Sequence, residues 1–313
     1  MKISFVTTIY RTAGCIEPFA QRAFAAAEEM GCACEVVFVD DGSPDDGAAV
    51  ARALAERDPR VILVALARNY GQHKALWTGL EHAGGDLVMM LDGDLEEDPG
   101  WAVAFRERMR ETGADVVYGL QSKPKGGFVY RQCRRAFYGL LAALSDVSFP
   151  KDVMTARLMS RRYLDQLLRF EERELFLVGV MHVAGFRQEP CAMHKPSLRP
   201  TKYTLRKLAW LFIMAVTAFS IRPLLMVFFI GLAISALSAL FVAYLLVRYA
   251  AFGVGVEGWT SVMAALFLIM GVTTSFTGLI AIYVGTIFLE VKRRPRTLIR
   301  EVVATRPLDA AGA

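Results

Sequence analysis

Histidine and cysteine are scarce in this chain, with four and five copies in 313 residues. An odd cysteine count at irregular spacing (Cys15, Cys32, Cys34, Cys133 and Cys191) excludes a regular disulfide framework and fits reduced thiols. Cys32-Ala33-Cys34 has no second pair or neighbouring His to complete a tetrahedral metal site. No Gly-x-Gly-x-x-Gly follows the first strand-like run and no Gly-Lys-Ser/Thr P-loop occurs, so ordinary dinucleotide binding and P-loop chemistry lose their main support. Met1-Lys2 leads directly into a strand-like segment without a signal-peptide pattern, so the N-terminal region is expected to stay in the cytoplasm. Acidic residues are short on one side only. Residues 195–313 hold 4 against 13 basic ones, net +9, whereas residues 1–194 hold 27 against 23, net −4. The basic residues flank apolar runs and do not alternate with aromatics, so nucleic acid is not the expected partner.

Apolar residues are plentiful instead. They make up 54% of the chain, and the mean hydropathy is +0.36, above the roughly 45–50% apolar share of soluble domains. Residues 223–247 and 258–289 run for 25 and 32 positions without a charge, and about 20 suffice to cross a bilayer. The two runs are expected to form a transmembrane hairpin in contact with membrane lipids, and homo-oligomer formation through it stays open. Lys195, Arg199, Lys202, Arg206, Lys207 and Arg222 precede the hairpin, and Lys292, Arg293, Arg294 and Arg296 follow it. The positive-inside rule then puts both ends in the cytoplasm of a multi-pass protein of the cytoplasmic (inner) membrane. Residues 208–221 are apolar but too short to span, and read as a helix lying at the membrane surface. The expected organisation is a cytoplasmic catalytic head (1–194), a basic interface segment (195–222), the hairpin (223–290) and a basic cytoplasmic tail (291–313).

Within the head, β-prone apolar runs alternate with helical spacing. Residues 3–8, 35–39, 61–66, 87–91 and 116–118 read as strands, and 16–30, 46–57, 74–82 and 101–111 as helices. The alternation predicts an α/β fold, a mostly parallel sheet with helices on both faces. Ligands of such sheets bind beyond the carboxyl ends of the strands, and acidic residues stand there. Asp40-Asp41-Gly42-Ser43 follows the second strand; its carboxylates can accept hydrogen bonds from a ribose or a base N–H, though a turn with a helix cap explains the same residues. Asp92-Gly93-Asp94 follows the fourth. Two carboxylates at i and i+2 can converge on one hard divalent cation if Gly93 lets the chain turn, and that cation would offset the charge of a diphosphate leaving group. Glu96, Glu97 and Asp98 make a solvated acidic loop the plainer alternative. The abrupt change from apolar strand to paired carboxylates favours a site.

Several motifs in order resemble the A-type inverting glycosyltransferases of family 2, in the polyprenyl-phosphate branch that includes dolichyl-phosphate mannose synthase. They are Val39-Asp40-Asp41-Gly42-Ser43-Pro44-Asp45, Arg68-Asn69-Tyr70-Gly71, Gly85-Asp86, Leu91-Asp92-Gly93-Asp94-Leu95, Arg157-Leu158-Met159-Ser160-Arg161, Tyr283-Val284-Gly285 and Glu290-Val291-Lys292-Arg293-Arg294-Pro295. The resemblance implies a nucleotide-sugar-binding fold and transfer of a sugar from a nucleotide diphosphate to an undecaprenyl-type phosphate on the cytoplasmic leaflet, in cell-envelope polysaccharide synthesis. It implies donor contacts from Tyr10, Asp40, Asp41, Asn69 and Asp92, and Mg²⁺ or Mn²⁺ on Asp92, Asp94 and Glu96. Asp94, Arg157 and Arg131 would be the catalytic set, the arginines holding phosphates; Arg131 belongs to a basic cluster with Lys123, Lys125, Arg134 and Arg135.

The chain departs from the family pattern twice. The Pro-x-Tyr-Asn-Glu expected after the first strand is Thr8-Ile9-Tyr10-Arg11-Thr12, and Thr155 stands where an Asp is common. A hydroxyl acceptor needs a general base, whereas a phosphate monoester, with a second pKa near ~6, is already largely anionic at neutral pH. Losing the Asp therefore suits a phosphate acceptor. The rival readings are a transferase that extends a saccharide at a hydroxyl, with a base such as Asp152, and a non-catalytic nucleotide-sugar-binding scaffold or flippase subunit.

Overall fold

The head's apolar runs become strands buried on both faces. In the computed structural model, β1 (Lys2–Ile9), β2 (Ala33–Asp40), β3 (Val61–Leu66) and β4 (Leu87–Met90) are parallel neighbours. β5 (Val116–Gln121), β6 (Val153–Ser160), β7 (Gln188–Met193) and β8 (Ile299–Val303) complete one mixed sheet of order β7-β5-β6-β4-β1-β2-β3-β8. β6 lies antiparallel between β4 and β5, and β8 is antiparallel to β3. The residues described are 1–121, 153–173, 175, 177–195, 222–252 and 258–305. The basic cluster around Arg131, Asp152 and residues 196–221 lie outside them.

Alternation along the strands gives the sheet two apolar faces. On one, Ile3, Phe5, Ile9, Val36 and Phe38 join α1 (Ile16–Glu29), α2 (Gly47–Arg57) and α4 (Trp101–Thr112) in the main core, where the Phe19 and Phe38 rings meet edge to face at 5.7 Å. On the other, α3 (Gln72–Glu81) packs on β1 and β2, with Trp77 fully buried. α5 (Arg161–Leu167) and α6 (Leu177–Val183) are joined by the buried Tyr163 hydroxyl, which donates to the Met181 carbonyl at 2.7 Å. The mostly parallel α/β sheet expected from the alternation is present.

The chain divides into two compact units. One comprises Met1–Arg134, Phe149–Leu205 and Arg293–Ala313; the other comprises Arg135–Ser148 and Arg206–Lys292. The second contains α7 (Arg222–Phe252) and α8 (Trp259–Val291), of 31 and 33 residues. Among the described residues one stretch, Ile269–Val291, is long and apolar enough to cross a membrane.

The segment that composition reads as a basic tail contains β8, which closes the β3 edge of the head's sheet. A charged edge strand with alternating exposure reads from composition as a tail, and its charges blunt the open edge. Arg296 fastens the approach to it. Its guanidinium donates to the Phe170 and Glu172 carbonyls, stands 4.7 Å from the Trp77 ring centroid and lies 3.7 Å from Glu81. Arg296→Ala is expected to cost about 2–3 kcal/mol of stability, and Lys, which lacks the planar fork, should recover little of it. Thermal unfolding measures both; an unchanged midpoint for Arg296→Ala would show that the segment is held elsewhere.

Candidate active site

From β1 the chain steps to β2 and β3 on one side, while β4 lies on the other. At such a switch point the loops part and leave a crevice past the carboxyl ends of the strands. A cavity of about 300 Å³ opens there. Thr8, Tyr10 and Thr12 line it from the end of β1, Asp92, Gly93 and Asp94 from the end of β4, and Asp41, Asn69, Gly71 and Gln72 from the loops after β2 and β3.

Two loops turn sharply at its rim. A Cβ on Gly93 would collide with the Thr8 carbonyl oxygen, so only glycine lets the β4 exit pass so near β1. Leu95, next along, is left-handed at φ 62°, and the following Glu96 N–H donates to Asp94 Oδ1 at 3.0 Å. Across the crevice Arg11 is also left-handed at φ 58°, and its N–H donates to Ser43 Oγ at 2.8 Å. Neither is glycine or asparagine, the residues that adopt this conformation most readily. Strain of this kind collects where surrounding structure fixes a functional loop.

The two aspartates after β2 have different surroundings. Asp41 is buried, and its oxygens accept the Tyr70 N–H at 2.7 Å and the Gly71 N–H at 3.0 Å, while the Asn69 side-chain amide donates to its carbonyl at 3.0 Å. It therefore joins the β2 and β3 loops as well as lining the cavity. Asp40 accepts the Ser43 N–H at 2.9 Å and lies 3.8 Å from Arg300 of β8; it is not among the lining residues. Burial pushes both carboxyls above the ordinary range, against the hydrogen bonds they accept.

The β4 exit is organised by a residue that the acidic run conceals. Glu97 has no exposed surface; it accepts the Asp92 N–H and the Thr155 N–H, each at 3.1 Å. The Lys195 ammonium lies 3.1 Å from Glu97, 2.9 Å from Asp92 Oδ2 and 4.0 Å from Glu96. The second oxygen of Asp92 accepts the Gln72 side-chain amide at 2.6 Å. Burial pushes the Glu97 carboxyl up to about 7, assisted by the charge of Asp92 and opposed by Lys195. Lys195 is held above its ordinary value: burial works against this, and the Asp92 and Glu97 carboxylates outweigh it. Burial also raises the Asp94 carboxyl.

Of the residues singled out from sequence, Tyr10, Asp41, Asn69, Asp92 and Asp94 meet in one cavity. Glu96 sits beside it. Arg131 lies outside the described residues. Arg157 is 3% exposed on β6, level with Met90 and Tyr118; its Nε has no hydrogen-bond partner, and its guanidinium is 5.6 Å from the Tyr118 ring centroid. It does not line the cavity. Glu97, Gln72 and Lys195 escape sequence reasoning, since Glu97 looks like one more loop carboxylate and Lys195 is about a hundred residues away.

Asp92 and Asp94 bring two hard oxygen donors to the crevice, the kind of set that holds Mg²⁺ together with substrate phosphates. Among the described residues no three His, Cys, Asp or Glu side chains already gather around one point to hold a metal. The donor chemistry fits a divalent cation that brings phosphates of its own, provided Lys195 releases Asp92.

The Glu97 carboxyl gives a stability prediction. Its folded pKa exceeds the ordinary value of 4.5, so the contribution it makes is complete below that value and is lost as pH rises through about 7. Denaturant unfolding between about pH 5 and 8 should show stability falling with pH in the wild type. Glu97→Gln should flatten the curve. An equal slope in the variant would assign the effect to another group.

The profile described as Glycosyl transferase family 2 matches residues 4–190. The chain is 39% identical over 302 residues to a Mycobacterium tuberculosis protein named only at the level of glycosyltransferase, covering 96% of this chain and 88% of that one. It is 31% identical over 304 residues to the SfII prophage-derived bactoprenol glucosyl transferase of Shigella flexneri, covering 96% and 98%. It is 30% identical over 317 residues to the undecaprenyl-phosphate 4-deoxy-4-formamido-L-arabinose transferase of Sodalis glossinidius, covering 99% and 96%. With the family's domain over more than half its length and relatives aligned nearly end to end, this chain belongs to glycosyl transferase family 2.

Proposed function

We propose that this glycosyltransferase moves a sugar from a nucleotide diphosphate donor to polyprenyl phosphate at the cytoplasmic face of a membrane. The observation that carries the proposal is the near full-length match, apolar C-terminal part included, to proteins named for bactoprenol and undecaprenyl phosphate. Two long apolar helices agree with an anchor. Large side chains such as Phe228, Leu237 and Leu240 on α7 and Ile287 on α8 are exposed, which in water would be costly and in lipid is not. The charge-free runs and their basic flanks support an anchor in the form of a hairpin with both ends cytoplasmic.

In this reading Tyr10, Asp41 and Asn69 face the nucleoside, and Asp40 supports the Asp41 loop from behind. A divalent cation, Mg²⁺ or Mn²⁺, would be held by Asp92 and Asp94 with Glu96 beside them, and would supply charge compensation at the diphosphate leaving group. The acceptor phosphate oxygen attacks the anomeric carbon in one inverting displacement as the nucleotide diphosphate departs. Thr155 serves in place of a carboxylate because an anionic phosphate has no proton to surrender. Arg157, the phosphate-holding arginine of the family motif, would have to reach the acceptor phosphate from its buried place on β6.

One experiment tests reaction and orientation together. Sealed membrane vesicles with the cytoplasmic face outward, given polyprenyl phosphate and a panel of radiolabelled nucleotide sugars, should place label in the lipid extract; vesicles of opposite orientation should not. Asp94→Asn should lower transfer by about a hundredfold with unchanged thermal unfolding. Label entering water-soluble or polymeric saccharide, with none in lipid phosphate, would mean that the acceptor is a hydroxyl.

A further inference from the structure

The acidic cluster at the β4 exit already contains a cation, and it comes from the chain. Lys195 Nζ is within 4.0 Å of three carboxylates, those of Asp92, Glu96 and Glu97, and its side chain is only 18% exposed. The long lysine stem loses conformational freedom in being held there, and the ion pairs with Asp92 and Glu97 repay it. Its partners are held differently. Glu97 is fully buried and fastened by two backbone N–H groups, whereas Asp92 lines the cavity and is held on its other oxygen by the flexible Gln72 side chain.

We propose that Lys195 is a resident counter-cation that occupies Asp92 until a divalent cation replaces it, so that binding of the bare metal competes with the lysine. The inference rests on the reading of Asp92 as a metal ligand. Mg²⁺ and Mn²⁺ bind carboxylate oxygens at about 2.1 Å, and the ammonium now sits 2.9 Å from Asp92 Oδ2. A doubly charged ion on that oxygen would stand within a few ångströms of the ammonium, in a partly buried setting that screens the repulsion less than bulk water does. Lys195 must then let go of Asp92 and keep Glu97, or leave both. A metal arriving with a nucleotide diphosphate brings negative charge that offsets the repulsion, so the lysine disfavours the bare ion more than the loaded donor. In effect the site is partly neutralised between turnovers and resists filling by free metal.

The test uses Mn²⁺ alone, with no nucleotide. Electron paramagnetic resonance of free Mn²⁺ gives its affinity for the full-length protein, and Lys195→Met, which keeps the stem and removes the charge, should bind it about tenfold more tightly or better. Adding Asp92→Asn to that variant should abolish the gain. A second measurement needs no variant: saturating Mn²⁺ should raise the acylation rate of Lys195 by an amine-directed reagent, read by mass spectrometry, and leave Lys2 and Lys74 unchanged. If Mn²⁺ binds the wild type and leaves Lys195 reactivity unaltered, or binds wild type and Lys195→Met equally, the inference fails while the metal reading stands. If Mn²⁺ alone binds neither protein, the inference fails, and the metal reading fails with it if adding a nucleoside diphosphate restores no binding.

Discussion

Glu97 is the anchor on which the site's geometry depends. One carboxylate with no exposed surface accepts hydrogen bonds from the backbone of Asp92 and of Thr155 and pairs with Lys195. It thereby fixes the exit of β4, the start of β6 and the chain beyond β7 to a common point. Burial disfavours its charge and pushes the carboxyl up to about 7, and the two backbone N–H groups and Lys195 offset part of that cost. With Asp92 held at its backbone, Gly93 can pass close to β1 and Asp94 can face the same cavity. Carboxylates that would repel one another in a free loop become an ordered array with a lysine in its midst.

Opposite this array, Asp41 has a comparable task for the loops after β2 and β3, accepting two consecutive backbone N–H groups. The crevice therefore has two rigid walls, one rich in carboxylates and one that presents Tyr10 and Asn69. This division suits a ligand with a charged diphosphate end and a polar ring end, which is what a nucleotide sugar is. The strain at Arg11 and Leu95 lies on the two loops facing each other across the opening, where ordered walls can sustain it.

Strands β1 to β5, helices α1 to α4 and the acidic ends of β2 and β4 were legible in the sequence, because a buried parallel strand is a continuous apolar run and a carboxylate at its end breaks the pattern abruptly. β7 and β8 were not, since each lies at the edge of the sheet and carries polar and charged residues with partial exposure. β8 also comes from beyond the apolar helices, where composition alone reads as a tail. In the site, Asp41, Asn69, Asp92 and Asp94 belong to local motifs and could be named. Glu97 and Lys195 could not, because their roles follow from burial and from a contact across 98 positions. Arg157 was legible as a motif residue; its burial in β6, away from the lining of the cavity, follows from sheet pairing that no local pattern encodes.

The crevice between β1 and β4 is the proposed seat of the sugar donor. The most direct measurement is a structure of the full-length protein with Mn²⁺ and a donor selected by its transfer activity. The nucleoside should lie against Tyr10, Asp41 and Asn69 and the diphosphate at Asp92 and Asp94. A donor bound elsewhere, with these side chains unmoved and free of contact, would contradict this placement.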